Sequence, residues 1–438
     1  MKEILCLGAG LVAKPYVDYL CGHGYNVVVA SRTKAKAEKL VSTYDNAEAS
    51  QFNIKTDHEL LETMVSSADL VCSLLPYTFH VQAAKVAIEY ETPFCTTSYI
   101  SDEMWALDED AKEASIILLN ECGVDPGIDH MSAKRIIDEI HTRGGEIESF
   151  TSYTGGLPAP DDNDNPFGYK LSWSPRGVLL AGTNDAHFLR DGEQVEIPAS
   201  ELFGNCEEME IPGLGTFEGY PNRDSISYID IYSIPETKTM IRGTLRYPGW
   251  CRTLKAITDL GLLSLEEQDF DGMTYYGLVS DLTGSPQNNL RTAVSELVNL
   301  EPNDSVLDRL EWLGLFDEKT IPKDTKTPLD ALCNLFEQKL QYGPNERDMI
   351  VMRHQFIVNY DNKKEEITST LIDYGHPGGD SSMSRTVALP VAIASHMILE
   401  NEINLEGVFR PTLPDIYEPI LNELEKHDIE FEEHRKPI

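Results

Sequence analysis

Short, continuous apolar runs punctuate the first 120 positions, at 4–7, 27–30, 70–74, 94–96 and 116–119. Between them, apolar residues recur every three to four positions, as at 33–44 and 58–66. The runs predict strands buried on both faces, and the longer period predicts amphipathic helices. Their alternation predicts a parallel, doubly wound sheet with ligands at the carboxyl ends of its strands. Two segments fall at such ends, Leu75-Pro76-Tyr77 and Thr97-Ser98-Tyr99. From about residue 123 the texture changes. Runs alternating by twos at 147–153, 227–232 and 239–245, with Gly and Pro between them and a loop at 157–165, predict a mixed or antiparallel sheet. Helical periods dominate 250–344, at 251–262, 290–300 and 328–340. Strand character returns at 346–360 and 366–374 and is expected to rejoin the middle sheet. An apolar helix at 383–400 holds Pro390, where a kink or break is expected. An amphipathic helix at 416–427 is expected to pack back on the first domain. The expected organisation is an α/β chain in three parts. A Rossmann-variant parallel-sheet domain takes 1–122 with about 385–438. A mixed α/β substrate domain takes 123–249 with 345–384. A small inserted α-helical domain takes 250–344.

The first strand runs into Gly8-Ala9-Gly10-Leu11-Val12-Ala13, which opens a helix. In such a cradle the first Gly permits the tight turn. The second lets the backbone approach a pyrophosphate, and the small third residue lets helix and strand pack closely. An NAD enzyme places Asp or Glu after the second strand, where it binds the ribose 2′-hydroxyl. Here that place holds Ser31-Arg32-Thr33. A carboxylate would repel a 2′-phosphate, whereas a guanidinium binds it with two parallel hydrogen bonds. The reading is NADP(H). The plainer alternative is a solvated Arg32 and a Thr33 that merely caps a helix.

Length and composition are those of a soluble globular chain of two or three domains: 438 residues, 41% hydrophobic and 25% charged. No apolar run is expected to be long enough to cross a bilayer, and the N-terminus carries no signal-like region, so a cytoplasmic location is expected. Eight scattered cysteines form no C-x-x-C pair; no metal site is expected, and several read as small core residues. The net charge of −37 argues against nucleic acid and anionic membranes as partners. It also means that an anionic substrate would need a local cluster of arginines.

Two segments supply such a cluster, Gly219-Tyr220-Pro221-Asn222-Arg223-Asp224-Ser225 and Ile241-Arg242-Gly243-Thr244-Leu245-Arg246-Tyr247. These arginines suit a substrate with several carboxylates, or else they pair internally with Asp224 or Asp230. The acidic run 161–165 lacks the Gly and distal Glu of a calcium loop and reads as solvated.

Several longer strings carry a resemblance: L-L-P-Y-T-F-H at 74–80, T-S-Y-I-S at 97–101, V-D-P-G-I-D-H-M at 124–131, G-G-L-P-A-P at 155–160, K-L-S-W-S-P-R-G-V-L-L at 170–180, Y-P-N-R-D-S at 220–225, R-G-T-L-R-Y at 242–247, L-Q-Y-G-P-N-E-R-D-M at 340–349 and D-Y-G-H-P-G-G-D-S-S-M at 373–383. With them the chain resembles, nearly end to end, the glutamate-forming saccharopine dehydrogenases, also called saccharopine reductases. The resemblance implies NADP-dependent interconversion of saccharopine with L-glutamate and 2-aminoadipate 6-semialdehyde, in a homodimer. The same chemistry serves synthesis and breakdown of lysine. By position it implies cofactor contacts at Leu11, Val12, Ala13, Ser31, Arg32, Thr33, Asn53, Ile54 and Thr97. It implies substrate contacts at Ser98, Tyr99, Asp125, Arg223, Thr244, Leu245 and Arg246, with Lys170 and Trp173 as weaker candidates. Tyr99 and Asp125 are the candidates for assisting proton transfer; Asp125 could instead only hold the substrate ammonium. The string Ser152-Tyr153-Thr154-Gly155-Gly156 departs from the S-Y-C-G-G of many relatives, so a thiol there is not obligatory in an active protein. Two alternatives are a carboxynorspermidine-type reductase, whose cationic diamine would call for carboxylates rather than arginines, and a catalytically silent NADP-binding sensor.

Overall fold

A computed structural model describes residues 1–284, 289–361 and 363–438, grouped in two compact units. The first comprises residues 1–145 and 371–432, the second 146–370 and 433–438. The expected three-part scheme cuts more finely, setting 250–344 apart.

The first unit is built on a seven-stranded sheet ordered Gly407–Phe409, Ile117–Leu119, Phe94–Thr96, Leu70–Ser73, Glu3–Leu7, Asn26–Ser31, Ala47–Gln51. Every pairing is parallel. Chain order reverses between Glu3–Leu7 and Leu70–Ser73, and at that switch point the carboxyl ends open a crevice. The central strands are buried on both faces, as their continuous apolar runs require. Two strands carried no such signal. Ala47–Gln51 (A-E-A-S-Q) is a half-exposed edge strand, and Gly407–Phe409 is only three residues long. The helix Ser382–Leu399 runs through Pro390 without a break. It packs against the helix Ala13–Gly22 and the strands Leu70–Ser73 and Phe94–Thr96, and the Tyr16 hydroxyl meets Ser395 Oγ at 3.1 Å. Lost main-chain donation at Pro390 is outweighed by burial along this helix. By length and composition it could cross a membrane, which corrects the expectation that no apolar run is long enough; it is the core helix of the unit, 83% buried. The helix Pro414–Glu425 packs on Ser382–Leu399 and on Ile128–Thr142, within the same unit.

The second unit carries a nine-stranded mixed sheet, ordered Glu207–Ile211, Gly215–Pro221, Thr239–Arg246, Glu146–Pro158, Asp348–Tyr360, Lys363–Tyr374, Phe431–Pro437; the hairpin Ala186–Arg190 with Glu193–Ile197 joins at Thr239–Arg246. Thr239–Arg246 runs parallel to Glu146–Pro158, which is antiparallel to Asp348–Tyr360. The strands at 348–374 thus rejoin the middle sheet. The last strand, Phe431–Pro437, is polar and largely exposed and gave no apolar signal. One expected strand is a helix. Ser227–Tyr232 coils because Asp224 accepts the N–H groups of Ile226 and Ser227 at 2.9 and 3.2 Å, and Ser233 closes the turn at φ 58°. Its buried tyrosines, Tyr228 and Tyr232, are four apart, a spacing that also reads as strand alternation. Helices Trp250–Asp259, Tyr275–Thr283, Leu290–Leu297, Ser305–Leu313 and Pro328–Lys339 belong to this unit. Side chains of Thr274, Asp304 and Thr327 cap three of them.

Candidate active site

At the switch point of the parallel sheet lies a cleft of about 290 Å³. Gly8, Gly10, Ser31, Arg32, Thr33, Asn53 and Ile54 line it. Gly8 sits at φ 122°, and a Cβ there would stand 2.7 Å from the Leu74 carbonyl oxygen, so only glycine makes this turn. Nothing lies within 4 Å of a Cβ built on Gly10; a side chain would fill space that the cradle leaves open. The helix Ala13–Gly22 begins with no side-chain cap and no acidic residue in its first turn, leaving its positive end available to a pyrophosphate. Ala13 is fully buried, as close packing demands, while Leu11 is 74% exposed on the turn. Leu11, Val12, Ala13 and Thr97 do not line the cleft itself. Two cations that sequence reasoning missed do: Lys36 and Lys55 join Arg32. Lys36 stands one turn from Arg32 at the start of the second helix, and that spacing was the available signal. Three cations around one cleft of an otherwise acidic chain fit a phosphorylated ribose. The residues present thus suit a phosphorylated dinucleotide.

Two further strand ends carry polar chemistry in the same unit. After Phe94–Thr96, the Ser98 hydroxyl bonds His80 Nε2 at 2.8 Å; Thr96 Oγ1 lies 3.2 Å from the same nitrogen, and Ser73 Oγ 2.9 Å from Nδ1. Burial lowers the His80 pKa to about 4, so the ring is neutral and offers one donor and one acceptor. Next along, the Tyr99 hydroxyl donates to Asp125 Oδ1 at 2.8 Å. The loop bearing Asp125 is tightly specified. Gly127, at φ 147°, lies so close to Gly123 that a Cβ would stand 2.0 Å from its carbonyl oxygen. Behind the loop, buried Glu121 accepts the Ile100 N–H at 3.0 Å, lies 2.9 Å from His130 Nε2 and 3.5 Å from Arg410 Nε. Burial alone would raise the Glu121 pKa, but His130 and then Arg410 outweigh it and hold the carboxylate below its ordinary range.

In the second unit, the alternation of Thr239–Arg246 puts Arg242, Thr244 and Arg246 on one face. Leu245 faces the other way, against Gly155, and offers the arginine face only main-chain atoms. Arg242 is buried over the Tyr228 ring at 4.1 Å. Arg223 is exposed in the left-handed region at φ 54°, its carbonyl accepting the His187 N–H at 2.8 Å. Arg246 decides the character of this face. It is 5% exposed, and its guanidinium lies over the rings of Tyr169 and Trp250 at 5.1 and 5.4 Å. The carboxylate directly across the strand pair, Glu218, is already committed: its two oxygens accept the N–H groups of Gly249 and Cys251 at 2.7 and 2.8 Å. Arg246 bonds only the Leu245 carbonyl, at 2.8 Å, and its Nε has no hydrogen-bond partner among the described residues. A buried cation on an aromatic shelf without a carboxylate is costly unless an anion completes it.

Two family models match the chain. One described as the saccharopine dehydrogenase NADP binding domain matches residues 4–119, and the saccharopine dehydrogenase C-terminal domain matches 123–429. The chain is 41% identical to the L-glutamate-forming, NADP(+) saccharopine dehydrogenase of Pyricularia oryzae, over 99% of this chain and 98% of that one. Identity to the Saccharomyces cerevisiae protein of the same name is 40%, over 99% of each. The chain belongs to the saccharopine dehydrogenase family. A solved structure of apo saccharopine dehydrogenase (L-Glu forming) from Saccharomyces cerevisiae superposes with a TM-score of 0.91 over the full length of both chains, at 39% identity. The mitochondrial alpha-aminoadipic semialdehyde synthase of Bos taurus is 38% identical over 98% of this chain, which corresponds to 47% of that longer protein.

Against this family background, the weaker candidates have structural employment. Lys170 pairs with Asp164 and Glu346, each at 2.7 Å, and Trp173 packs so tightly on Gly177 that a Cβ there would stand 2.4 Å from the ring. Within the acidic run, Asp162 accepts the Arg347 N–H at 3.0 Å. His80 is the residue that sequence reasoning passed over, although it closes the string L-L-P-Y-T-F-H. It hydrogen-bonds the Ser98 hydroxyl. Its neutrality has a measurable consequence. An unfolded histidine takes up a proton near pH 6.5 and the folded one only near 4, so this stabilisation is full above the upper value and is lost as pH falls between the two. Wild type should therefore lose on the order of 3 kcal/mol more than His80→Gln between pH 7 and pH 4 in urea unfolding. Parallel curves for the two proteins would refute the assignment.

Proposed function

We propose that this chain is an NADP-dependent, L-glutamate-forming saccharopine dehydrogenase, interconverting saccharopine with L-glutamate and 2-aminoadipate 6-semialdehyde. The observation that carries the substrate is the buried guanidinium of Arg246, which pairs with no carboxylate among the described residues. Saccharopine bears three carboxylates and supplies the missing anion. The cofactor, held by the Gly8–Gly10 turn, Arg32, Lys36 and Lys55, supplies or accepts the hydride. Everything else falls to the chain's own side chains. Arg246, with Arg223 and Thr244, holds substrate carboxylates and so orients the reacting carbon and nitrogen. In the reductive direction the glutamate nitrogen attacks the aldehyde to give a carbinolamine, which loses water to an imine before reduction. Water loss requires a proton on the departing oxygen and removal of one from nitrogen. The hydrogen-bonded pair of Tyr99 and Asp125 serves these transfers, with Tyr99 Oη as donor and Asp125 Oδ1 as acceptor. Ser98, fixed by His80, takes part in holding the substrate.

The reading is tested by NADPH oxidation with aminoadipate semialdehyde plus glutamate, run beside aspartate semialdehyde plus a diamine. Turnover is expected only with the first pair. Turnover with the second would make this a carboxynorspermidine-type reductase, and none with either would leave an NADP-binding sensor. An Asp125→Asn change should lower kcat by about a hundredfold while shifting substrate KM only slightly. A raised KM with unchanged kcat would reduce Asp125 to a binder of the substrate ammonium. The proposed working form is a cytoplasmic homodimer with small-molecule substrates and no nucleic-acid or membrane partner. Light scattering of the purified chain tests the dimer.

A further inference from the structure

One cluster of reactive side chains has no part in this chemistry. The Sγ atoms of Cys206 and Cys251 and a carboxylate oxygen of Glu218 all lie within 4.8 Å of one another. Three elements bring them together. Cys206 precedes the strand Glu207–Ile211, Glu218 lies on Gly215–Pro221, and Cys251 is the second residue of the helix Trp250–Asp259. A soft metal ion would want four donors. Here the carboxylate is committed to two main-chain N–H groups, and no fourth His, Cys, Asp or Glu joins the group among the described residues. What remains is a thiol pair. Cys251 is fully buried. Cys206 is half-buried and lines an open cleft with Tyr153, Arg190 and Asn205. The hydrogen bond from the Cys251 thiol holds the Cys206 thiol below its ordinary range, and that same contact, with burial, pushes Cys251 well above its own. The accessible sulfur is the better thiolate, and the buried one waits behind it.

We propose that Cys206 and Cys251 form a thiol-exchange site, which a low-molecular-weight disulfide such as glutathione disulfide converts into an intramolecular Cys206–Cys251 bond. The Cys206 thiolate attacks one sulfur of glutathione disulfide, and one glutathione thiolate leaves. The Cys251 thiol gives its proton to the departed glutathione thiolate. Its sulfur then attacks Cys206 Sγ and expels the second glutathione. Two protein thiols are oxidised, and one glutathione disulfide is reduced to two thiols. Trp250, whose ring lies against Arg246, is the residue before Cys251. The new bond draws the start of this helix toward Cys206 and disturbs the shelf under the guanidinium. This consequence, unlike the bond itself, rests on Arg246 being a substrate anchor.

The test treats the full chain with glutathione disulfide, alkylates the remaining thiols and maps the peptides. A Cys206–Cys251 cross-linked peptide is expected in wild type and in neither C206S nor C251S. The KM for saccharopine should rise severalfold and return on reduction with dithiothreitol, whereas C206S should keep its KM under oxidant. Both thiols alkylated, or a glutathione adduct that never resolves, would overturn the site. A cross-link with unchanged KM would overturn its coupling to Arg246. Activity of the untreated enzyme tests the dehydrogenase reading separately. Should C251S not fold, C206S, altered at a half-buried position, carries the comparison.

Discussion

Replacing Arg246 with methionine should cut kcat/KM for saccharopine by roughly a hundredfold or more, while leaving the protein at least as stable as wild type. The two halves of this result have one cause. Without substrate, the Arg246 guanidinium is buried over two adjacent aromatic rings and, among the described residues, hydrogen-bonds only a neighbouring carbonyl. Removing a charge in such a place relieves a desolvation cost, and methionine replaces the packing of the long aliphatic stem. With substrate bound, the balance reverses. A buried carboxylate left facing methionine loses about 3 kcal/mol or more, equivalent to at least a hundredfold. Steady-state kinetics and urea unfolding of the same preparation check both halves. A variant that loses stability and activity together would show Arg246 to be a structural residue.

The Arg32→Glu change should separate the two nicotinamide cofactors. The Arg32 side chain lines the cleft with Lys36 and Lys55, and a carboxylate there both removes a charge-assisted contact and repels the 2′-phosphate. NADPH affinity is expected to fall by roughly a hundredfold or more, about 3 kcal/mol, while NADH affinity changes only a few-fold. Fluorescence titration with each cofactor reads this directly. Equal losses would mean that Arg32 does not read the phosphate and that the two lysines do.

Much of this was legible in the amino-acid order because burial writes itself into composition. Strands covered on both faces, such as Asn26–Ser31, must be apolar through their buried middle, here 27–30, and the turn at Gly8 tolerates no side chain; both stand out in a single sequence. Elements whose reason lies elsewhere in the fold do not. Ala47–Gln51 and Phe431–Pro437 are strands only because a neighbour offers an edge. Ser227–Tyr232 is a helix because Asp224 supplies acceptors to its first N–H groups. The site divides in the same way. Arg246 was visible as an arginine on an acidic background, but that it has no carboxylate partner among the described residues depends on how Glu218 spends its oxygens. His80 was visible as a letter, yet its neutral state comes from burial that no spacing reveals.

The chain passes between its two units three times, at 145–146, 370–371 and 432–433. On the ribosome, residues 1–145 precede residues 146–370, yet their sheet lacks its edge strand Gly407–Phe409 and its core helix Ser382–Leu399 until most of the second unit has been synthesised. The nucleotide cradle is therefore translated before the second unit and completed after most of it. Through most of synthesis it exposes the apolar surface that the helix Ser382–Leu399 will cover, and newly made chains should depend on chaperones more than the stability of the finished fold would suggest.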